Sequence, residues 1–412
     1  MINTRFNNLS AQLRQYLLVT ANYWAFTLTD GALRMLVVLY FHQLGYDALQ
    51  VAFLFLFYEL FGVVTNLVGG WLGARLGLNR TMNVGLLLQV VALLMLAVPD
   101  QWLIIPWVML AQALSGIAKD LNKMSAKSAI KLFVKDEQQG ALYKWVAILT
   151  GSKNTLKGVG FFLGGLLLSL TSFQSAVVLM AICLFVVWCL SVWLLKEDLG
   201  KTTRKVKFTE IFSKSRQVNI LSAARLFLFA SRDVWFVVAL PVYLSQTFGW
   251  NYASVGGMIA LWIIVYGGIQ SVAPYFTGKK SGRLPDGKSA AVWAFALSLT
   301  PLLVIGSLQF EIFLPVLFIL GLFIFGALFA INSSLHSYLI VSYAQRDGVS
   351  LDIGFYYMAN AMGRLIGTLL SGWIFVSYGL TACLMVSSLF IIIAGCFSLA
   401  LPKTQQQNII PK

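Results

Sequence analysis

Apolar runs of about 20 residues recur from one end of the chain to the other, and no other feature limits its fold as strongly. A helix of that length rises about 30 Å, the thickness of a bilayer's hydrocarbon core. Such runs lie near 14–42, 48–73, 81–98, 102–126, 141–169, 175–195, 217–246, 251–277, 289–308, 312–342, 351–377 and 380–401. Hydrophobic residues make up 59% of the 412 residues and charged ones 11%, against about a quarter charged in soluble domains. So much apolar surface exceeds what one core can bury, and the remainder must meet lipid. Strand-like alternation is absent, so the spans read as helices rather than barrel strands. The first run is too long for a cleaved leader and carries polar residues at its centre, so it reads as a retained span. The expected fold class is an all-α membrane protein with twelve transmembrane helices.

Loop charge gives an orientation. The loops after spans 1, 3, 5, 7, 9 and 11 contain no Lys or Arg and carry only Asp47, Asp100 and Glu311. The alternate loops hold Arg75, Arg80, Lys135, Lys201, Arg204, Lys214, Arg216, Lys280 and Arg346, among others. Positive charge stays cytoplasmic, which places both termini inside. The stretch "KEDLGKTTRKVKFTEIFSKSR" divides the chain into two sets of six spans, 1–196 and 217–412, joined by a basic linker at 197–216. The halves repeat. "LGYDALQVAFL" after span 1 parallels "FGWNYASVGGM" after span 7, and "KGVGFFLGG" in span 5 parallels "RLIGTLLSG" in span 11. The latter pair matches Lys157 to Arg364, each three residues before a glycine. Two pseudo-symmetric six-helix bundles with a site near the midplane are the major facilitator plan.

Charges lie where lipid would exclude them. Asp30 and Arg34 fall near the middle of span 1, Glu59 in span 2, and Lys119 and Asp120 in span 4. Lys153 and Lys157 lie in span 5, Arg232 and Asp233 in span 7, and Arg364 in span 11. Each central Arg or Lys facing lipid costs about 2.5–3.5 kcal/mol. Six or seven together would cost on the order of 20 kcal/mol, more than a typical fold's stability. They must face water or one another. Asp30 and Arg34 are spaced for an ion pair within one helix. Lys153 and Lys157 share a face of span 5, as Arg225 and Arg232 do in span 7.

Lysines recur every fourth residue through span 4, at 119, 123, 127, 131 and 135. A four-residue step turns the helix about 400°, so the ladder drifts by about 40° per lysine. Lys119 and Lys123 fit the interior face. Lys127 is ambiguous. Lys131 and Lys135 are expected to snorkel at the cytoplasmic surface. The candidate substrate-binding set is therefore Arg34, Lys119, Lys123, Lys153, Lys157, Arg232 and Arg364, with Asp30, Glu59, Asp120 and Asp233 as candidates for coupling or gating. Glu59 is preferred among these as a proton carrier, because no cation lies within a turn of it on its own helix. Cations outnumber acids, and arginine suits bidentate contact with oxyanions. The implied solute is a small organic anion with separated tetrahedral groups.

Other classes are excluded. The net charge of +15 is scattered among the spans, against nucleic-acid binding. Cys183, Cys189, Cys383 and Cys396 form no CxxC pair, so neither a disulfide framework nor a metal site is expected, and no cofactor is implied. His42 and His336 are the only histidines, and no HExxH, phosphate-binding loop or nucleophile elbow occurs, so an enzyme is not expected. His336, beside Ser334 and Ser337, reads as a polar cavity lining.

Two local motifs carry resemblances. "GGWLGARLGLNR" resembles the loop between spans 2 and 3 of major facilitators, with Ala74 at the usual aspartate, and "GVGFFLGG" resembles the span-5 motif of antiporters, with Phe161 at the usual proline. Over the whole chain, "YWAFTLTDGALRMLVVLYFHQLGY", "FYELFGVVTNLVGGWLGARLGLNR", "ALSGIAKDLNKMSAKSAIK" and "YKWVAILTGSKNTLKGVGFFLGG" resemble the ArsJ family of organoarsenical efflux permeases. The resemblance implies a bacterial inner-membrane protein that exports 1-arseno-3-phosphoglycerate. It also implies a functional link to the glyceraldehyde-3-phosphate dehydrogenase that makes this ester, and net arsenate resistance. The expected partners are a small anionic substrate and membrane lipid, around a monomer.

Overall fold

The computed structural model describes residues 11–46, 54–134, 139–195, 200–202, 215–250, 252–279, 284–308 and 314–402. Asp47, Lys135, Arg204, Lys214, Lys280 and Glu311 lie outside them. Among the described residues the regular structure is all helical, with no strand. In chain order the helices are α1 (Ala11–Gln43), α2 (Leu56–Leu76), α3 (Leu78–Leu96), α4 (Ile105–Phe133), α5 (Gln139–Leu170) and α6 (Phe173–Leu194). Then follow α7 in two pieces (Arg216–Phe236 and Ala239–Phe248), α8 (Tyr252–Pro274), α9 (Gly287–Ser307) and α10 (Leu314–Tyr343). A last helical run, Val349–Leu399, is divided by Gly379 into α11 and α12. Each of the twelve expected spans is occupied by one of these helices. Among the described residues nine helices are long and apolar enough to cross a membrane, the double-length run counting once. The lysine-bearing α4 and α5 are not among the nine.

The boundaries follow local chemistry. Ser172, Ser215 and Asp286 cap α6, α7 and α9 by accepting hydrogen bonds from the backbone N–H of Ser175, Val218 and Ser289. Gly77 turns α2 into α3 at φ 94°, and Gly379 separates α11 from α12 at φ 77°. Side chains with a Cβ are strained at these angles. In α7 the helix breaks at Val237 and Val238. The freed N–H of Ala239 is taken up by Ser371 Oγ on α11 at 3.1 Å. Large apolar side chains stay exposed, including Phe162 at 70% and Val376 at 85%. Such surface requires a hydrocarbon solvent.

Contacts divide the chain into two compact units: 1–138 with 156–213 and 344–358, and 139–155 with 214–343 and 359–412. The first segment of α5 thus groups with the second unit, and the start of α11 with the first. In the first unit the most extensive pairings are α3 with α4 and α2 with α4; in the second they are α9 with α10 and α8 with α10. These are equivalent pairs six helices apart, the structural form of the repeat. Inside the first unit Asn22 of α1 donates to Ser191 Oγ of α6 at 2.7 Å, and Ser191 donates to Asn83 of α3 at 2.5 Å. The second unit is centred on aromatic side chains. Trp235 meets Phe325 edge-on at 4.9 Å, Trp262 stacks on Tyr266, and Trp262 Nε1 donates to the Leu322 carbonyl at 2.8 Å.

At the α2–α3 turn, the carbonyl of Ala74 accepts from Thr202 N at 2.9 Å and Thr202 Oγ1 at 3.3 Å. Where the loop motif usually has an aspartate, the backbone itself is tied to the linker. Arg346 donates to the carbonyl of Val134 at 2.8 Å, just beyond the end of α4. The lysine ladder behaves differently from its expected course. Lys127 and Lys131 are buried, at 2% and 5% exposure. Lys131 therefore does not snorkel at the surface. A single-helix projection omits the packing of other elements, and that packing leaves this lysine buried.

Candidate cation clusters of the two units

Backbone proximity sets up the first cluster. Gly164 of α5 packs so closely on α1 that a Cβ there would lie 2.3 Å from the Ala32 carbonyl, and one on Gly160 would lie 2.6 Å from that of Leu28. This contact brings Lys157 Nζ to 3.8 Å from Asp30 Oδ2. Asp30, 5% exposed, also accepts a hydrogen bond from Tyr58 Oη at 2.5 Å. Arg34 crosses to α2, where its Nη2 lies 3.1 Å from Glu59 Oε1. The helix-local spacing of Asp30 and Arg34 suggested a pair between them. Across helices each is bonded elsewhere, Arg34 to Glu59 and Asp30 to Tyr58 and Lys157.

Lys119 of α4 lies 3.9 Å from Glu59 and 3.8 Å from Asp120, while Lys123 binds Asp120 at 2.5 Å. Tyr58 is the hub of the cluster. Its ring holds the Lys119 ammonium 3.8 Å and the Arg34 guanidinium 4.7 Å from its centroid. Both distances are within cation–π range. Lys123 sits 4.6 Å from the ring centroid of Tyr357. Glu59 was preferred because its own helix offers it no cation. Helices α1 and α4 supply two, so that reason does not hold.

The second unit repeats the pattern on α7 and α11. A Cβ on Gly363 would lie 2.1 Å from the Leu226 carbonyl, and one on Gly367 would lie 2.7 Å from that of Ala230. Arg364 Nε donates to Asp233 Oδ2 at 3.2 Å. Arg232 Nε donates to Asp233 Oδ1 at 2.6 Å, and its Nη2 lies 2.5 Å from the same oxygen as an ion pair. Asp233 is completely buried. The repeat seen in the sequence is thus a repeat of contacts: a cation on the fifth span of each half reaches an acid on the first, beside the glycine that brings the helices together. The break in α7 begins four residues beyond Asp233, and discontinuous helices mark binding sites in transporters of this plan.

Lys153 lies in the α5 segment grouped with the second unit, one helical turn before Lys157, which groups with the first. Arg225 is buried and donates to Asn360 Oδ1 at 2.8 Å, Ser333 Oγ at 3.1 Å and the Ser333 carbonyl at 3.2 Å. Gln270 links this group to α5, donating to Ser333 Oγ at 3.1 Å and accepting from Asn154 at 2.6 Å. His336 is fully buried on α10, and neither ring nitrogen has a protein hydrogen-bond partner among the described residues. Tyr58, Tyr357, Gln270 and Asn360 were missed from the sequence. The last two are uncharged polar groups inside apolar spans, a signal that counting full charges passes over.

Comparison with known proteins agrees with this architecture. A search of curated proteins finds no match. Solved structures of similar fold include the human organic anion transporter MFSD10 (TETRAN), at TM-score 0.76 and 15% identity over 95% of this chain and 100% of that one. A bacterial homologue of the iron transporter ferroportin, in its outward-facing state, gives 0.72 and 13% over 93% and 98%. The E. coli fucose:proton symporter FucP gives 0.71 and 11% over 96% and 100%. At these identities the likeness is one of fold. The family model described as Major Facilitator Superfamily matches residues 17–334 and again residues 223–412. Nine helices among the described residues long and apolar enough to cross a membrane, a contact pattern repeated between the two halves and a family match over most of the length lead to one conclusion: the chain is a multi-pass membrane transporter belonging to the Major Facilitator Superfamily.

Proposed function

We propose that the transporter exports an organic arsenate ester, 1-arseno-3-phosphoglycerate, from the bacterial cytoplasm across the inner membrane. The observation that carries this reading is the surplus of cations on the helix interiors. Arg34, Lys119, Lys123 and Lys157 face three carboxylates in the first unit, and Arg232 and Arg364 face Asp233 in the second, where the buried Arg225 is held by the neutral Asn360 and Ser333. Low-dielectric surroundings with surplus positive charge favour a solute bearing several negative charges. Guanidinium forks suit tetrahedral oxyanions. The resemblance to organoarsenical permeases names a solute with an arsenate ester at one end and a phosphate at the other, and the organic anion transporter of similar fold supports the solute class. Pentavalent arsenic has no need of thiol ligands, in keeping with unpaired Cys183, Cys189, Cys383 and Cys396.

With both termini cytoplasmic, export of the multiply charged anion runs with a negative-inside potential, gaining about 2.3 kcal/mol per charge at 100 mV. Proton exchange through Asp30, Glu59, Asp120 or Asp233 adds to that drive. The protein acts as a monomer, alternating its access to the two sides, and is linked in function to the glyceraldehyde-3-phosphate dehydrogenase that supplies the ester.

The test is arsenate tolerance of a sensitive strain expressing the transporter with and without the dehydrogenase, together with uptake of the enzymatically generated ester into everted vesicles. Protection that requires both proteins, and accumulation in the vesicles, are expected. Protection without the dehydrogenase removes the ester as substrate and leaves an exchanger of other organic anions. Accumulation insensitive to an uncoupler removes the proton. Single Lys153→Gln, Lys157→Gln, Arg232→Gln and Arg364→Gln variants at matched expression are expected to lose tolerance; full tolerance in all four would discard the site.

A further inference from the structure

The acids of the two repeated clasps occupy equivalent places, on the first span of each half, yet they are held differently. Asp30 meets Lys157 at 3.8 Å, beyond hydrogen-bond length, and its short bond is with the neutral Tyr58 hydroxyl at 2.5 Å. Asp233 accepts hydrogen bonds from both arginines, from Arg232 Nε on Oδ1 and from Arg364 Nε on Oδ2, with Arg232 Nη2 also in ion-pair contact with Oδ1. Its carboxylate is completely buried, while the Arg364 side chain keeps 30% of its surface and that of Arg232 keeps 15%. A guanidinium carries five N–H donors in a rigid plane, so a carboxylate fixed behind two of them sets the direction of both.

We infer that the equivalent acids do opposite work: Asp30 is a resident counter-ion that competes with the solute for Lys157, whereas Asp233 is a positioning residue that aligns Arg232 and Arg364 to receive an oxyanion head. This rests on the proposed anion-transport reading and specifies how each unit serves it. The chemistry of the amide separates the roles. In Asp30→Asn, Oδ1 still accepts from Tyr58 and the amide NH2 replaces the oxygen 3.8 Å from Lys157, so the ammonium loses this counter-ion as a competitor of the solute. In Asp233→Asn, one of the two acceptor oxygens becomes an N–H donor pointing at a guanidinium. The pair of arginines then cannot both stay aligned.

The experiment is binding to purified full-length protein, with 2,3-bisphosphoglycerate as a stable two-headed probe and glycerate as a probe lacking the tetrahedral heads. Dissociation constants are read from intrinsic tryptophan fluorescence on monodisperse fractions. Asp30→Asn is expected to bind the bisphosphate roughly fivefold more tightly, as loss of a screened charge competitor implies. Asp233→Asn is expected to bind it at least about tenfold more weakly, the scale of one lost charge-assisted hydrogen bond, and to lose the preference for the bisphosphate over glycerate. A lesion that merely misfolds lowers the bound fraction and leaves the constant and the preference unchanged. Should Asp233→Asn fail to fold, Arg364→Lys, which keeps the charge and removes the fork, is expected to show the same weakening and lost preference. Equal shifts in the same direction for both asparagine variants, or an unchanged preference in Arg364→Lys, would overturn the inference and leave anion transport standing. Absence of bisphosphate binding in the wild type would overturn both.

Discussion

Gly363→Ala tests the close approach on which the second cluster depends. The added methyl would sit 2.1 Å from the Leu226 carbonyl oxygen and 2.9 Å from the carbonyl carbon and Cα of the same residue. These are backbone atoms, so no side chain can swing aside, and α11 must withdraw from α7 by about 1 Å to restore ordinary contact. Overpacking of this kind costs about 1–3 kcal/mol. The same withdrawal stretches the 3.2 Å bond from Arg364 Nε to Asp233 beyond hydrogen-bond length, and a bond to a charged partner is worth about 1.5–3 kcal/mol. Together they lower stability by roughly 2.5–6 kcal/mol. At about 2–4 °C per kcal/mol for a unit of 150–250 residues, the melting temperature falls by roughly 10 °C. The assay is thermal unfolding of purified protein in detergent, followed by fluorescence-detected size exclusion. Gly372→Ala is the control on the same helix, since a Cβ there meets nothing within 4 Å. A Gly363→Ala protein that melts with wild type, or no lower than Gly372→Ala, would show that helix approach does not set the Arg364–Asp233 distance.

Lys123→Gln leaves the 2%-exposed Asp120 with one distant cation, and a loss of about 3 kcal/mol is expected in the same melting assay. Asp120→Asn combined with Lys123→Gln should recover most of it, because the double variant buries no charge mismatch; a double variant as unstable as the sum of the singles would refute pairing. Tyr58→Phe keeps the ring beneath Arg34 and Lys119 but removes the donor to Asp30, with an expected cost of about 1.5–3 kcal/mol. Tyr58→Leu, which also removes the cation–π contacts, should melt lower still. Gly379→Ala isolates backbone strain, since the site has open space and φ 77°. A cost of about 1–2 kcal/mol is expected there, and a neutral result would mean that the α11–α12 turn readily relaxes.

The membrane architecture was legible because its cause is one-dimensional. Lipid demands a run of apolar residues whatever else the chain does, and twelve such runs are visible without any partner being known. The repeat of Lys157 and Arg364 beside glycines was legible for a related reason: close helix packing needs small residues at fixed steps, and that spacing is written along one helix. The partners of the charges were not legible. Arg34 pairs with Glu59 from another helix, and Glu59 gains its cations from α1 and α4, so reasoning within a turn misjudged both. Lys131 failed similarly, since a helical projection gives its direction but not what lies in that direction. Tyr58 escaped because an aromatic residue in an apolar span gives no sign that its hydroxyl faces a carboxylate.

The glycine contacts have a mechanical consequence. With the carbonyl of Leu226 where a methyl on Gly363 would sit, and that of Ala32 nearly as close to Gly164, neither helix couple has slack along its seam. A couple jammed in this way cannot slide or splay by degrees. It travels as one rod, carrying cation and acid in fixed register, so whatever bends during a transport cycle must bend in other joints.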